Sequence, residues 1–258
     1  MDRARTKQVC TIGPASVDRI ADLVAAGMDV ARVNFSHGSP DDHRNYVHTV
    51  RSAAHAARRS VAVMVDLPGP KLRLGELPSG ELRLATGASF SLLGDESAEA
   101  SADGATVPSS SLATQLQVGD RVLLADGAAE LRVTAVEAAD VRTEVVNGGV
   151  VRSHSGVNIP SERLAVDGLT DDDRAALPRA LELRADLIAQ SFVRSADDVR
   201  ALRKLLPADG PRLIAKIETR AAIDNFDDIL AEADGIMVAR GDLGVDVPFE
   251  DVPLIQKD

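Results

Sequence analysis

Residues 211–244, PRLIAKIETRAAIDNFDDILAEADGIMVARGDLG, alternate between strand-like and helix-like patterns of apolar residues. RLIAKIE is a short apolar run that predicts a strand, AAIDNFDDILAEA has apolar residues at helical spacing, and DGIMVARGD predicts a second buried strand. A strand, a helix and a strand in this order are typical of a parallel sheet covered by helices. The sequence therefore predicts an α/β architecture.

Charged residues end both of these predicted strands. Lys216 and Glu218 finish the first, and Arg240 and Asp242 finish the second. Parallel α/β folds place their chemistry at the C-terminal ends of strands, and carboxylates beside an ammonium group suit Mg²⁺ or Mn²⁺ next to a phosphoryl group. Solvated charges joined by salt bridges are the alternative, and the spacing alone does not separate the two interpretations.

Composition narrows the class of protein. The chain has 258 residues, 45% of them hydrophobic, which is enough for one large or two ordinary globular domains. The net charge of -11 argues against a nucleic-acid partner. The single cysteine, Cys10, lies in an apolar strand pattern that predicts a buried, inert thiol. Without a transmembrane-length apolar run or a signal-peptide segment, we expect a cytoplasmic protein with no membrane partner.

The N-terminal part repeats the alternation of strands and helices. KQVCTIG, MDVARVNFSHG and SVAVMVD predict three strands, and Ser16 and Gly27 are expected to cap and to end the intervening helix VDRIADLVAAG. Arg32, Asn34 and Ser36 fall at a period of two, so their side chains share one face of a strand end. They predict either a ligand site or a buried hydrogen-bonded network.

A second helix is predicted over SPDDHRNYVHTVRSAAHAARR, with Ser39 as its cap. His43, His48 and His55 lie on it at spacings of five and seven, which do not suit a shared zinc site. We interpret all three as surface residues of the helix.

The pattern changes between residues 74 and 160. Short β-like runs alternate there with Gly, Asp and Asn turns, which predicts a small all-β domain inserted after the third strand. Within it, DESAEASADGATVPSSS is expected to form a mobile loop.

The α/β pattern then returns with the helix TDDDRAALPRALELR, the strand ADLIAQSFV and the helix SADDVRALRKLL. Ser195 is expected to cap the last of these, and Pro178 to disturb the first. Six strands whose ends are polar favour a (β/α) barrel over an open sheet, but about 171 residues outside the insert fall short of about 250 for eight units. We therefore predict an incomplete TIM barrel with an inserted β-barrel domain, divided as 1–73, 74–160 and 161–258.

Several motifs resemble the pyruvate kinase family: CTIGPAS, ARVNFSHG, DLPGPKLR, GDRVLLADG, GVNIP, SFVRSADDV, LIAKIET, DNFDDIL and IMVARGDLGVDVP, in this order and spacing. The resemblance covers nearly the whole chain but only about the first half of a usual family member. It implies six strands of the barrel and its lid domain, with the last two barrel units and the C-terminal domain absent.

The resemblance assigns the charged strand ends to a metal and a phosphoryl group. Glu218 and Asp242 would bind the Mg²⁺ or Mn²⁺ ion that also holds phosphoenolpyruvate, and Lys216 and Arg32 would contact the phosphoryl group. The backbone N–H groups of Gly241 and Asp242 would bind the substrate carboxylate.

The resemblance also implies a monovalent-cation site and nucleotide contacts. A K⁺ ion would be held by Asn34, Ser36, Asp66 and the carbonyl of Leu67. Nucleotide phosphates would face Arg73 and His37, with Asn34 nearby.

Two segments depart from the family pattern. The family usually has Thr-Lys-Gly-Pro-Glu where this chain has Leu67, Pro68, Gly69, Pro70 and Lys71. With a lysine at position 71, this chain resembles family members that work without potassium, in which the lysine ammonium replaces the ion. We therefore expect activity without K⁺. In the lid, His154 and Ser155 stand where the family usually has two lysines, which removes a positive charge expected near the nucleotide.

The implied function is transfer of the phosphoryl group of phosphoenolpyruvate to ADP, giving pyruvate and ATP in glycolysis. The alternative is a non-catalytic relative that binds phosphoenolpyruvate and metal. An enolate-forming lyase on the same barrel is disfavoured by the NFSHG and GPKLR segments. An open edge at the sixth strand is expected to promote dimerisation or aggregation, so we predict a homo-oligomer, whereas the resemblance implies a tetramer formed through elements largely missing here.

Overall fold

A computed structural model of the protein describes residues 5–95, 98–109, 112–160 and 168–257. These residues form two compact units. One consists of the described residues up to Gly69 together with Gly168–Ile217 and Asn225–Met237. The other begins at Pro70 and also includes Glu218–Asp224 and the described residues from Val238 onwards.

Strands and helices alternate in the outer parts of the chain, and strands dominate its middle. The strands are β1 (Gln8–Ile12), β2 (Met28–Asn34), β3 (Ala62–Asp66), β4 (Leu72–Arg73), β5 (Glu81–Leu84), β6 (Ser89–Leu93), β7 (Gly104–Thr106), β8 (Arg121–Leu124), β9 (Ala129–Glu137), β10 (Asp140–Asn147), β11 (Gly149–Arg152), β12 (Gly156–Asn158), β13 (Leu187–Gln190), β14 (Arg212–Ile217) and β15 (Gly235–Val238). The helices are α1 (Ile20–Ala26), α2 (Pro40–Ala56), α3 (Leu112–Gln115), α4 (Asp171–Glu182), α5 (Ala196–Arg203), α6 (Arg220–Asp224), α7 (Phe226–Glu232), α8 (Arg240–Asp246) and α9 (Val252–Ile255).

A six-stranded sheet joins the two α/β parts of the chain, in the order β1-β2-β3-β13-β14-β15. Neighbouring strands from β1 to β14 run parallel. The order follows the chain without the reversal that marks a doubly wound open sheet, as in a (β/α) barrel. This confirms the predicted α/β class and the incomplete barrel.

Apolar strand residues form the core of this sheet. Val33, Val63, Val65 and Ile188 are all at most 1% exposed. Their β-branched side chains suit strands that are covered on both faces, which is why these segments read as continuous apolar runs in the sequence. Strands of this kind fix the positions of the polar residues at their ends.

Helix starts agree with the predictions at two serines and differ at a third. Ser39 and Ser195 each form a capping box, in which the serine and the third helical residue satisfy each other's backbone N–H groups. Gly27, at a φ of 119°, ends α1 as expected. Ser16 was wrongly assigned as a cap: a short 3₁₀ turn, Val17–Arg19, precedes α1, and the Ser16 hydroxyl accepts the N–H of Gly13 instead.

Three further expectations need correction. Helix α4 continues through Pro178, because its capping box and its buried apolar face offset the lost backbone hydrogen bond. The segment AAIDNFDDILAEA forms two helices, α6 and α7, separated at Asn225, whose side-chain amide donates to the carbonyl of Arg194. Arg240 and Asp242 begin helix α8 and do not end strand β15.

The all-β part of the chain consists of a seven-stranded sheet, in the order β4-β12-β8-β9-β10-β6-β7, and the pair β11-β5. Its own core includes Phe90, Leu92, Leu124 and Leu131. The segment predicted as a mobile loop contains β7, which is buried and pairs with β6, so that prediction was wrong for residues 104–106. Residues 96–97 and 110–111 of the same segment lie outside the described residues. None of the helices described is long and apolar enough to cross a membrane.

Candidate active site

Four polar side chains from successive strands of the parallel sheet meet in the first unit. Arg32 lies in β2, Asp66 ends β3, Ser191 directly follows β13, and Lys216 lies in β14. Parallel strands bring their C-terminal ends to one edge of the sheet, and this edge is where barrel enzymes place their active sites. Arg32, Asp66 and Lys216 were predicted from the sequence, whereas Ser191 was not.

Asp66 is the centre of this group. Its Oδ2 accepts a hydrogen bond from Arg32 Nε at 2.7 Å, and its Oδ1 lies 3.2 Å from Lys216 Nζ. Arg32 Nη1 also donates to the hydroxyl of Thr11 at 3.0 Å. Asp66 is 1% exposed and Lys216 is 7% exposed. Because water cannot solvate charges in this buried region, the Asp66 carboxylate compensates the positive charges of Arg32 and Lys216.

Ser191 connects Lys216 to the backbone that follows β3. Lys216 Nζ donates to Ser191 Oγ at 2.7 Å, and the hydroxyl in turn donates to the carbonyl of Leu67 at 2.7 Å. The ammonium therefore has a fixed position relative to Leu67, one of the expected cation-site residues. The available signal was the polar pair Gln190 and Ser191, which ends the apolar run ADLIA.

The turn after β2 uses the other polar residues of the predicted face locally. Asn34 Oδ1 accepts the backbone N–H of Ser36 at 3.0 Å. Phe35 N–H donates to the carbonyl of Asp66, which ties this turn to the end of β3. Of the three residues predicted to share a face, Arg32 joins the Asp66 group and the other two bond to each other.

His43 was wrongly interpreted as a surface residue: it is 1% exposed. It lies on the inward face of α2 with Tyr46, Val47 and Val50, at the helical spacing of a buried stripe. Its ring stacks on Phe35 at 4.2 Å, and its Nε2 bonds to the carbonyl of His37 at 2.7 Å.

Burial lowers the pKa of His43 below its ordinary value, because the charged ring loses its hydration. The neutral ring therefore stabilises the backbone at His37 through the hydrogen bond of its Nε2 to the carbonyl. His48 and His55 are exposed, as predicted, and Cys10 is half-buried, less enclosed than expected.

The expected metal ligands lie in the second unit. Glu218 directly follows β14 and is 1% exposed, and Asp242 is in the first turn of α8. Next to Asp242, Gly241 is exposed, and a Cβ built there would meet no atom within 4 Å. Residues 5–95, 98–109, 112–160 and 168–257 contain no group of three or more His, Cys, Asp or Glu side chains placed to hold a metal. Two carboxylates still suit Mg²⁺, which is commonly bound by one or two carboxylates with water and substrate oxygens completing its shell.

Lys71 and Arg73 also belong to this second unit. Lys71 Nζ lies 2.9 Å from Asp126 Oδ1 and 3.4 Å from Asp242 Oδ1. Arg73 Nη1 donates to the carbonyl of His154 at 3.0 Å. Within this unit, Lys71 therefore contacts a carboxylate of the all-β part of the chain and an expected metal ligand.

Fold and site together define an α/β protein of the barrel type, with a buried, charge-compensated lysine at its strand ends. The family model for the pyruvate kinase barrel domain matches residues 3–258. The chain belongs to the pyruvate kinase family.

Curated relatives agree over nearly the whole chain. The pyruvate kinase of Geobacillus stearothermophilus is 42% identical over 99% of this chain and 44% of its own length. Those of Mycobacterium tuberculosis and Corynebacterium glutamicum are both 44% identical, over 98% and 100% of this chain respectively, and each match covers 54% of the relative. The chain thus spans about half the length of the curated relatives it matches.

Proposed function

We propose that this chain contributes the barrel and lid of an enzyme that transfers the phosphoryl group of phosphoenolpyruvate to ADP. The bond from phosphorus to the enolate oxygen breaks, a bond to a terminal oxygen of ADP forms, and the enolate takes a proton to become pyruvate. Such a transfer needs positioned cations more than covalent help from the protein. The observation that carries the proposal is the buried Lys216, held by Asp66 and Ser191.

Lys216 and Arg32 are proposed to contact the phosphoryl group. Both cations are bound to Asp66, and each has a further hydrogen-bond partner that fixes its direction, Ser191 for the lysine and Thr11 for the arginine. A cation held in place before the substrate arrives does not have to reorganise when charge develops in the transition state. The group is therefore suited to stabilise the negative charge of the transferring phosphoryl oxygens.

Glu218 and Asp242 are proposed to hold the divalent cation, Mg²⁺ or Mn²⁺. The bound ion would neutralise charge on the substrate oxygens. The backbone N–H groups of Gly241 and Asp242, in the first turn of α8, are proposed to bind the substrate carboxylate. Burial of Glu218 supports a ligand role, because a solvated surface charge would be exposed.

The remaining residues are proposed to serve a monovalent cation and the nucleotide. Potassium would be held by Asn34, Ser36, Asp66 and the Leu67 carbonyl, unless the ammonium of Lys71 replaces it. Nucleotide phosphates would face Arg73, His37 and Asn34. We further propose that the protein acts as a pyruvate kinase in the cytoplasm and forms a homo-oligomer. Its barrel domain would consist of residues 1–73 and 161–258, and the inserted β domain of residues 74–160.

A coupled assay for pyruvate formation from phosphoenolpyruvate and ADP with Mg²⁺ tests the proposal. The expected result is activity that falls by about a thousandfold in Lys216→Met protein shown by urea unfolding to be folded, and that does not fall in the surface control Arg44→Gln. Metal-dependent binding of oxalate without turnover would instead favour the non-catalytic alternative. If the protein neither turns over phosphoenolpyruvate nor binds it, both assignments fail.

A further inference from the structure

The ammonium of Lys71 is shared between two carboxylates of the second unit. Its Nζ lies 2.9 Å from Asp126 Oδ1 and 3.4 Å from Asp242 Oδ1. The Lys71 side chain is 19% exposed, the Asp242 side chain 32% and the Asp126 side chain 66%. The shorter contact is made with Asp126, and the longer one with the residue proposed to bind the divalent cation.

Surrounding backbone keeps Lys71 in this position. A Cβ built on Gly156 would lie 2.6 Å from Lys71 Cε and 3.3 Å from its Nζ, so the lysine chain runs directly over the bare glycine backbone. Asp126 is placed by the turn between β8 and β9, where it has a φ of 55°. Aspartate accepts this left-handed conformation more readily than most residues. Lysine and lid carboxylate are therefore both held by local structure.

We propose that Lys71 competes with the divalent cation for Asp242 and that Asp126 holds the lysine when the cation is bound. This inference rests on the proposed role of Asp242 as a metal ligand. A divalent ion at Asp242 repels an ammonium group a few ångströms away. With Asp126 already at 2.9 Å, the ammonium leaves Asp242 by a small movement and keeps a negative partner.

The pairing has a consequence for the lid. Asp126 belongs to the turn between β8 and β9, and Asp242 belongs to α8. When the metal displaces Lys71 from Asp242, the Lys71–Asp126 ion pair becomes exclusive and strengthens. Metal binding and the ion pair at the lid turn are thus thermodynamically linked, and each must favour the other.

Binding of Mn²⁺ to the 258-residue chain, measured by electron paramagnetic resonance without substrate, tests the inference. We expect Lys71→Gln to tighten Mn²⁺ binding by about fivefold, because the competing ammonium is gone. Asp126→Asn should weaken it by a similar factor, since the lysine then depends on Asp242 alone. Asp126 is exposed, so this variant is expected to fold even if Lys71→Gln does not.

The double variant, Lys71→Gln with Asp126→Asn, separates this mechanism from plain charge effects. If Asp126 acts through the lysine, the double variant binds Mn²⁺ as tightly as Lys71→Gln alone. Additive changes would show that the two charges act independently, and would overturn the inference. Arg142→Gln, on the exposed pair with Glu137 in the same β part of the chain, is the matched control and should leave binding unchanged.

Glu218→Gln distinguishes failure of the inference from failure of the proposed function. Mn²⁺ binding that needs Glu218 but ignores Lys71 and Asp126 refutes only the competition. Binding that is absent, or unaffected by Glu218→Gln and Asp242→Asn, refutes the metal site itself and the inference with it.

Discussion

Replacement of Asp66 by asparagine should destabilise the first unit strongly. The change keeps the size of the side chain but removes the charge that faces Arg32 at 2.7 Å and Lys216 at 3.2 Å. Asp66 is 1% exposed, so water cannot replace the lost carboxylate. Removing one partner of a buried ion pair costs about 3–5 kcal/mol, a large part of the roughly 5–15 kcal/mol that stabilises a typical protein.

Urea unfolding, monitored by tyrosine fluorescence, measures this loss of stability in the unit that contains Asp66. The chain has one tyrosine and no tryptophan, and Tyr46 lies in α2 of the same unit as Asp66. A loss of about 4 kcal/mol lowers the midpoint by roughly 1–2 M urea. Asp41→Asn is the control, because that carboxylate is 86% exposed in its pair with Arg44 and should change stability by less than about 0.5 kcal/mol.

A double variant tests the physical cause. Asp66→Asn combined with Lys216→Met removes one charge of each sign, and should be less destabilised than the sum of the two single variants. The reasoning about charge compensation fails if Asp66→Asn lies within about 1 kcal/mol of the parent protein, or if the two costs simply add.

Three further predictions concern other parts of the molecule. The free energy of unfolding should fall as the pH drops below about 6.5, because the pKa of buried His43 is lowered and only the unfolded chain binds a proton at this histidine in that range. In urea titrations at several pH values, His43→Gln should reduce the dependence of stability on pH, and equal slopes for the two proteins would contradict the prediction. Gly69→Ala should lower the free energy of unfolding by about 1–3 kcal/mol more than Gly80→Ala. Both glycines have positive φ, but only a Cβ at Gly69 would lie 2.7 Å from Ser191 Cβ. Equal urea midpoints for the two variants would refute this prediction. If Lys71 replaces potassium, exchanging Na⁺ for K⁺ should leave the pyruvate-forming rate unchanged, and a strong increase would contradict the replacement.

Much of the fold was predictable from local sequence signals. Apolar runs such as AVMV, directly before Asp66, identified buried parallel strands, since the middle of a strand covered on both faces has no polar positions. Ser39 and Ser195 marked helix starts, because a capping box uses only neighbouring residues. The polar ends of the strands likewise predicted that Arg32, Asp66 and Lys216 are candidate site residues.

Errors arose where packing between elements decides the outcome. The polar side chain of His43 favoured a surface position, but the residue lies in the buried stripe of α2 and its ring stacks on Phe35. Strand β7 lies in a segment of low hydrophobicity and becomes a strand through pairing with β6. Local propensity is weak compared with such tertiary contacts.

Periodicity and neighbouring residues are enough to predict the order of strands and helices, the run of short strands in the middle of the chain and the polar residues near the strand ends. Which charges meet depends on how the strands pair in the folded protein. Asp66 neutralises a lysine 150 positions away in the chain, and Ser191 accepts from that lysine and donates to Asp66. Lys71 is shared between Asp126 and Asp242. Electrostatic and hydrogen-bond energies depend on the distance between atoms in space. For residues far apart in the sequence, that distance is defined only after the sheets have formed.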